Sequence, residues 1–195
     1  MDIGVPIKEL GNVDMQKLAD TVLSLDDAAW EAEDIRQKKF SDVHYDTQSV
    51  IAIFCDHDHW PNVDVVKGAG WDILAESAVP VMRDIIKNHY PKGGTIIRAM
   101  AAKLKAGAHI DSHRDGHLSF HHGHRIHIPI ATNNQVRFLI EGRPYKMQVG
   151  QAYEINNQMR HGVMNRGREP RIHFIFDYVP STILMQIDEA SIAAQ

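Results

Sequence analysis

Histidine residues crowd one short segment of this 195-residue chain. The chain has 13 histidines, and six of them fall between positions 109 and 124. Such a loop is often only a solvated segment. Here, however, the tripeptide His113-Arg114-Asp115 puts an imidazole and a carboxylate two residues apart. On an extended strand both side chains point to the same face and can share one metal ion.

A second pair with the same spacing, His109 and Asp111, precedes the first. Strand alternation puts both pairs on one side, so the spacing leaves the choice open. A third ligand must come from farther along the chain, and His161, 48 residues after His113, is the best candidate. Two imidazoles and one carboxylate are the ligands of non-haem Fe(II) oxygenases and leave three positions open, although Zn²⁺ also accepts them.

Cationic side chains are predicted on the interior faces of two strands near this site. On the strand that begins at Arg171, alternation puts Arg171 and His173 on one face and only apolar side chains on the other. A guanidinium inside a sheet needs an anionic partner, and arginine suits a two-pronged grip on a carboxylate. A second strand repeats the pattern, with Arg125 and His127 opposite three isoleucines. Both strands therefore direct donors towards the predicted metal.

The secondary structure predicted for the chain changes from mostly helix to mostly strand near residue 93. Residues 1–93 predict a mostly helical support region, with helices after Asp14, over 30–40 and from Pro80 to Tyr90, and one strand at 49–54. After residue 93 the apolar period falls to two, which predicts strands at 95–104, 125–130, 135–140, 151–155 and 171–179. Helices followed by short strands indicate an α+β protein with a mainly β core. We expect a single catalytic domain over 1–195, with the metal site in 94–179 and a C-terminal tail at 180–195.

The composition excludes several classes of protein. Hydrophobic residues make up 44% and charged residues 24%, as in an ordinary globular protein, which excludes disordered and fibrous chains. The net charge of −4 without a basic cluster argues against a nucleic-acid partner, and no apolar run is long enough to predict a membrane span. A single cysteine, Cys55, fits a reducing cytoplasm. The tail is compatible with packing in a homodimer.

The second half of the chain contains four sequence blocks in a characteristic order: GAHIDSHRD at 107–115, RIHIPI at 125–130, HGVMN at 161–165 and RIHFIFD at 171–177. With these blocks, residues 94–179 resemble the aspartyl/asparaginyl β-hydroxylase family of Fe(II)/2-oxoglutarate-dependent dioxygenases, which includes bacterial proline hydroxylases. The family pattern puts its first iron histidine six residues after a glycine and three after an aliphatic residue. This pattern favours His113 and Asp115 over the earlier pair.

The resemblance implies a fold and a role for each candidate residue. The fold would be a double-stranded β-helix, a jelly-roll or cupin-like arrangement of two sheets, braced by N-terminal helices. The iron ligands, and with them the catalytic residues, would be His113, Asp115 and His161. Arg171 would pair with the distal carboxylate of 2-oxoglutarate, and Arg125 and His127 would contact or support this co-substrate.

The implied activity is hydroxylation of an unactivated C–H of an amino acid or of a Pro, Asp or Asn residue in a peptide. The cofactors would be Fe(II), 2-oxoglutarate and O₂, with ascorbate as a reductant, and the products would include succinate and CO₂. One alternative is a cupin-like metal-binding protein without oxygenase activity, which does not need Arg171. Another is a zinc hydrolase, which needs a general base such as Asp111 or Glu154.

Overall fold

Two antiparallel β sheets form the body of the protein in the computed structural model, which describes residues 1–32, 46–55, 60 and 64–184. The strands are β1 (Ile7–Asn12), β2 (Thr47–Cys55), β3 (Val65–Lys67), β4 (Thr95–Leu104), β5 (His109–His113), β6 (His124–Ala131), β7 (Val136–Ile140), β8 (Arg143–Tyr145), β9 (Gln151–Ile155), β10 (His161–Asn165) and β11 (Arg171–Val179). The helices are α1 (Gln16–Leu23), α2 (Asp27–Glu31), α3 (Trp71–His89) and α4 (Ser119–His122).

The major sheet has seven strands and the minor sheet has four. The order is β1-β9-β6-β11-β4-β2-β3 in the major sheet and β5-β10-β7-β8 in the minor one. Strands close in sequence alternate between the sheets, so that β6 and β11 of one sheet face β7 and β10 of the other. This arrangement is a double-stranded β-helix, which confirms the predicted fold.

Helices α1 and α3 cover the outer face of the major sheet. Leu18 of α1 and Met82 of α3 are buried in one apolar cluster with Phe174 and Phe176 of β11. A second cluster, which includes Phe138 of the minor sheet, fills part of the space between the sheets. The central strands of the major sheet therefore bury apolar side chains on the helix side and keep polar ones for the interior.

The period-two pattern located the core strands closely. Strands β4, β9 and β11 have the predicted bounds, and β2, β6 and β7 differ from the predictions by one or two residues at an end. Strands β1, β3, β8 and β10 were not predicted, and β5 was considered only as a possible extended segment. Strands β1 and β3 pair with β9 and β2 at the two edges of the major sheet. The first 93 residues therefore supply three strands as well as the bracing helices.

The prediction that Pro80 begins a helix is wrong. Helix α3 begins at Trp71 and carries Pro80 in its interior. Pro80 and Glu76, whose carbonyl loses its hydrogen-bond donor, both lie on the exposed side of α3, where water can satisfy that carbonyl. Leu74 and Val81 are buried against the sheet on the opposite side. Burial of this apolar face outweighs the lost hydrogen bond.

Two other predicted elements lie partly outside the described residues. Of the helix predicted at 30–40, the structure describes only residues 30–32, and α2 ends at Glu31. In the tail, residues 181–184 are helical and residues 185–195 lie outside the described part. No helix in the described ranges is both long and apolar enough to cross a bilayer. The division into one catalytic domain stays a prediction.

We expect Phe174→Ala to lower the free energy of unfolding by about 3–5 kcal/mol, because it opens a cavity between the major sheet and the helices. Phe174 is fully buried, whereas Leu23 on α1 is 56% exposed. Leu23→Ala is therefore the matched control and should cost less than about 0.5 kcal/mol. Urea denaturation of both variants measures the difference. Equal destabilisation would contradict the described packing.

Candidate active site

Three metal-ligating side chains converge at one end of the space between the sheets. His113 ends β5, Asp115 follows two residues later, and His161 begins β10. One ligand atom from each lies within 4.8 Å of the others. His113 Nε2 is 3.7 Å from Asp115 Oδ1, and His161 Nε2 is 4.0 Å from Asp115 Oδ2. A single ion can contact all three groups.

A β-bulge in β5 distinguishes the two histidine–aspartate pairs. His161 pairs with His113 and Val163 pairs with Ile110, so β5 uses one more residue than β10 between these points. The extra residue breaks strict alternation, so that Ile110 and His113 both line the same cavity. His109 and Asp111 point away, with side chains 62% and 74% exposed. The structure therefore brings together the pair that the family resemblance favoured.

Gly162 allows the close approach of β10 to β5 at this bulge. A Cβ at position 162 would lie 2.8 Å from the carbonyl oxygen of Ile110 and 3.2 Å from the backbone nitrogen of Ser112. Any larger residue would push the strands apart next to His161. The glycine that follows His161 therefore keeps the two imidazoles adjacent, with ring centroids 4.5 Å apart.

Backbone carbonyls orient both imidazoles for metal binding. His113 Nδ1 lies 2.8 Å from the carbonyl oxygen of Asp111, and His161 Nδ1 lies 3.0 Å from that of Met159. A carbonyl only accepts, so each Nδ1 carries the proton and each Nε2 presents a lone pair to the site. Burial also lowers the pKa of His161, which favours the neutral form that a metal requires.

Arg125 binds the candidate carboxylate ligand rather than standing free in the cavity. Its Nη1 donates to Asp115 Oδ2 at 2.8 Å, and its Nε and Nη2 donate to the two oxygens of Asp177 at 2.8 and 2.9 Å. Burial alone would lower the pKa of Arg125, but the two carboxylates raise it. Arg125 is therefore a fixed cation beside the metal site.

Arg171 is a buried cation with no carboxylate partner in the described part of the chain. It begins β11, is 3% exposed and lines the same cavity as the three ligands. Its Nη2 donates to His173 Nδ1 at 2.6 Å, while its Nε has no partner among the described residues. Burial lowers the pKa of Arg171 to about 9. The interior therefore holds an uncompensated charge that an anion would neutralise.

His127 and Phe138 line the cavity between the candidate metal ligands and Arg171. The ring of Phe138 stacks on that of His161 at 6.3 Å and lies 5.9 Å from the Arg171 guanidinium. His127 packs edge-on against Phe138 at 5.6 Å, and its Nδ1 lies 3.3 Å from His173 Nδ1. Because a guanidinium can only donate, His173 Nδ1 accepts from Arg171, and His127 can only donate to it.

Neither of the two carboxylates considered as the general base of a zinc hydrolase lies at this site. Asp111 is exposed on the far side of the bulge, and Glu154 accepts hydrogen bonds from His124 and Tyr90 in a separate buried group. Neither carboxylate lines the cavity that holds the three ligands. Asp111 and Glu154 are therefore not placed next to the three candidate metal ligands, as a zinc hydrolase would require.

Asp177 and Phe138 lie at the site but were not among the site residues predicted from the sequence. Alternation along β11 places Asp177 on the interior face with Arg171 and His173, so its position was available from the sequence. Its contact with Arg125 depends on the register between β11 and β6, in which these two residues are paired. Phe138 carried no comparable signal, because an apolar residue in a strand is ordinarily a core residue.

Comparison with known proteins supports one family. Residues 16–180 match the family described as aspartyl/asparaginyl beta-hydroxylase. No curated protein sequence matches significantly. The family match covers both the bracing helices and all the candidate site residues.

Several solved structures share the fold at low sequence identity. A viral collagen prolyl hydroxylase from Paramecium bursaria Chlorella virus-1, in complex with 2-oxoglutarate, has a TM-score of 0.54 and 9% identity over 91% of this chain and 97% of its own. An oxidoreductase of the 2OG-Fe(II) oxygenase family from Burkholderia pseudomallei has a TM-score of 0.50 and 12% identity over 68% and 67%. The nickel complex of the non-heme monooxygenase ThoJ has a TM-score of 0.56 and 10% identity over 90% and 74%.

We expect His113→Ala to weaken Fe(II) or Co(II) binding severely, because it removes one of three ligands. His109→Ala is the matched control, since it removes an exposed histidine from the same strand and should keep wild-type affinity. Anaerobic metal titration followed by calorimetry measures both. Loss of binding in His109→Ala with retention in His113→Ala would show that the bulge selects the other pair.

Proposed function

The chain belongs to the aspartyl/asparaginyl β-hydroxylase family, and from this premise we propose that it hydroxylates an unactivated C–H of an amino acid or of a Pro, Asp or Asn residue in a peptide. The family makes it an Fe(II)/2-oxoglutarate-dependent hydroxylase. The observation that best supports the co-substrate is the buried, unneutralised guanidinium of Arg171 in the same cavity as a His-Asp-His ligand set.

His113, Asp115 and His161 are the proposed ligands of Fe(II). Two imidazoles and one carboxylate fit a non-haem iron that keeps three positions for co-substrate and oxygen. The three side chains offer one negative charge and two neutral nitrogens. The backbone carbonyls behind the histidines and Arg125 behind Asp115 hold the ligand atoms in place.

Arg171 is the proposed partner of the distal carboxylate of 2-oxoglutarate. Its guanidinium is buried, so an ion pair there is poorly screened by water. His173 accepts one of its N–H groups and turns the rest of the fork towards the cavity. Phe138 and His127 pack beside the space between the metal ligands and Arg171 and exclude water from that space.

The chemistry that Fe(II), 2-oxoglutarate and O₂ supply is a coupled oxidation in which one oxygen atom enters the substrate as a hydroxyl and the other enters succinate, with release of CO₂. Ascorbate would serve as the reductant that returns the metal to Fe(II). The contribution of this chain is to orient the ligands, to bind the dicarboxylate and to exclude water.

The cupin-like alternative, a metal-binding protein without oxygenase activity, is disfavoured by Arg171. A protein that only holds a metal has no need for an isolated buried cation, whose burial costs stability unless it is neutralised. Substitution of Arg171 therefore distinguishes the two functions experimentally.

We expect 2-oxoglutarate to raise the melting temperature of the metal-loaded protein, and Arg171→Gln to abolish the increase, because the ion pair with the distal carboxylate is lost. Arg137→Gln is the matched control. Arg137 lies on β7 near Arg171, but it is half-exposed and donates to backbone carbonyls. Thermal denaturation with and without 2-oxoglutarate measures the effect. An equal increase in all three proteins would remove Arg171 from the co-substrate site.

The substrate class is tested by turnover. The metal-loaded protein is incubated with Fe(II), ascorbate, 2-oxoglutarate and free amino acids, proline first, and then with Pro-, Asp- or Asn-containing peptides. We expect a product heavier by one oxygen atom and succinate formation that depends on the substrate, both absent in His161→Ala. Wild-type turnover in His161→Ala would contradict the ligand assignment.

A further inference from the structure

Asp177 is a buried carboxylate that joins two buried arginines. It lies near the end of β11 and is 1% exposed. Arg98 Nη1 donates to Asp177 Oδ2 at 3.2 Å, and Arg125 donates to both carboxylate oxygens through Nε and Nη2. Although burial alone would raise the pKa of Asp177, the two arginines hold it below its ordinary value.

Arg125 connects Asp177 to the candidate metal ligand Asp115. With Nε and Nη2 committed to Asp177, the guanidinium plane is fixed, and Nη1 is left to donate to Asp115 Oδ2 at 2.8 Å. Asp115 Oδ1 lies 3.7 Å from His113 Nε2, whereas the Oδ2 atom that Arg125 holds lies 4.0 Å from His161 Nε2. One carboxylate oxygen is therefore held by the protein, and Oδ1 accepts no hydrogen bond from Arg125.

Phe120 packs against both arginines. The Arg98 and Arg125 guanidinium carbons lie 4.3 and 4.4 Å from the centre of its ring. Arg98 Nη2 also donates to Ser119 Oγ at 2.7 Å. Ser119 and Phe120 belong to α4, which follows Asp115 closely in the chain. The same charges thus anchor the segment that leaves the metal site.

Among these four side chains the charges are equal in number: Arg98 and Arg125 carry two positive charges, and Asp177 and Asp115 carry two negative ones. Loss of the Asp177 charge would release Nε and Nη2 of Arg125, which could then bind Asp115, the proposed ligand. Arg125 could then turn its fork onto both oxygens of Asp115 and withdraw Oδ1 from the metal.

We propose that Asp177 is a positioning residue, which fixes the Arg125 fork so that Asp115 binds the metal through Oδ1 alone. This inference rests on the proposed function, because it takes Asp115 as a metal ligand. A buried structural ion pair would stabilise the fold equally well but would leave metal affinity and coordination unchanged. The two roles therefore differ in a metal-binding measurement.

The test compares Asp177→Asn with Glu154→Gln. Glu154 is a buried carboxylate of the same sheet that accepts hydrogen bonds from His124 and Tyr90, and no hydrogen bond or ion pair joins it to Arg125 in the described structure. Co(II) replaces Fe(II), because its visible absorption reports the ligand geometry. We expect Asp177→Asn to bind Co(II) about 10–100-fold more weakly and with a changed spectrum, as for other groups that orient a ligand. Glu154→Gln should keep the wild-type affinity and spectrum.

Arg125→Lys supplies a second variant that keeps the charge if Asp177→Asn does not fold. A lysine cannot hold both carboxylates in one fixed plane, so the same loss of affinity and the same spectral change are expected. Wild-type affinity and spectrum in a folded Asp177→Asn or Arg125→Lys protein would overturn the positioning role while leaving the proposed function intact. Failure of the wild-type protein to bind Co(II) would overturn both.

Discussion

The buried guanidinium of Arg171 is the constraint on which the functional account depends. A charge in the interior of a β sandwich costs several kcal/mol unless an opposite charge compensates it. The other interior arginines, Arg98 and Arg125, have carboxylate partners within 3.2 Å, whereas Arg171 has none among the described residues. Among the described arginines, Arg171 is the buried one that carries this cost, and it lies in the cavity that also holds two imidazoles and a carboxylate. A dicarboxylate paired with Arg171 and a metal ion held by the two imidazoles and the carboxylate would account for both features together.

Each of the two sheets contributes a different set of side chains to this cavity. The minor sheet supplies the histidines, because the register of β5 and β10 places His113 directly opposite His161. The major sheet supplies the charged layer, because β11 and β6 present their polar faces to the interior while their apolar faces are buried under α1 and α3. Asp115, in the segment between β5 and α4, joins the two contributions through Arg125. Helices α1 and α3 support the site by packing against the outer face of the major sheet, whereas α4 contacts Arg98 and Arg125 directly through Phe120.

The sequence predicted the parts of the fold and the site that depend on regular periodicity. Alternation located β4, β9 and β11 and the inward direction of Arg171, because these strands are regular. Alternation and local propensity gave wrong or open answers where a strand or helix departs from regular geometry. The bulge in β5 depends on the pairing with β10, so the choice between His109 and His113 was not available from spacing. Helix α3 continues through Pro80 because tertiary burial outweighs local propensity. Asp177 was not predicted as a site residue, because its partners Arg98 and Arg125 come from β4 and β6, which are distant in the sequence.

We propose that one cavity holds Fe(II) and 2-oxoglutarate together: His113, Asp115 and His161 would hold the metal, and Arg171 would bind the distal carboxylate of the keto acid. Anaerobic titration of the Fe(II)-loaded protein with 2-oxoglutarate is the decisive measurement, because a keto acid that chelates Fe(II) produces a visible charge-transfer absorption. We expect this band to appear and to saturate at one equivalent of 2-oxoglutarate. A protein that binds Fe(II) but develops no band at saturating 2-oxoglutarate would show that the cavity does not hold the two together.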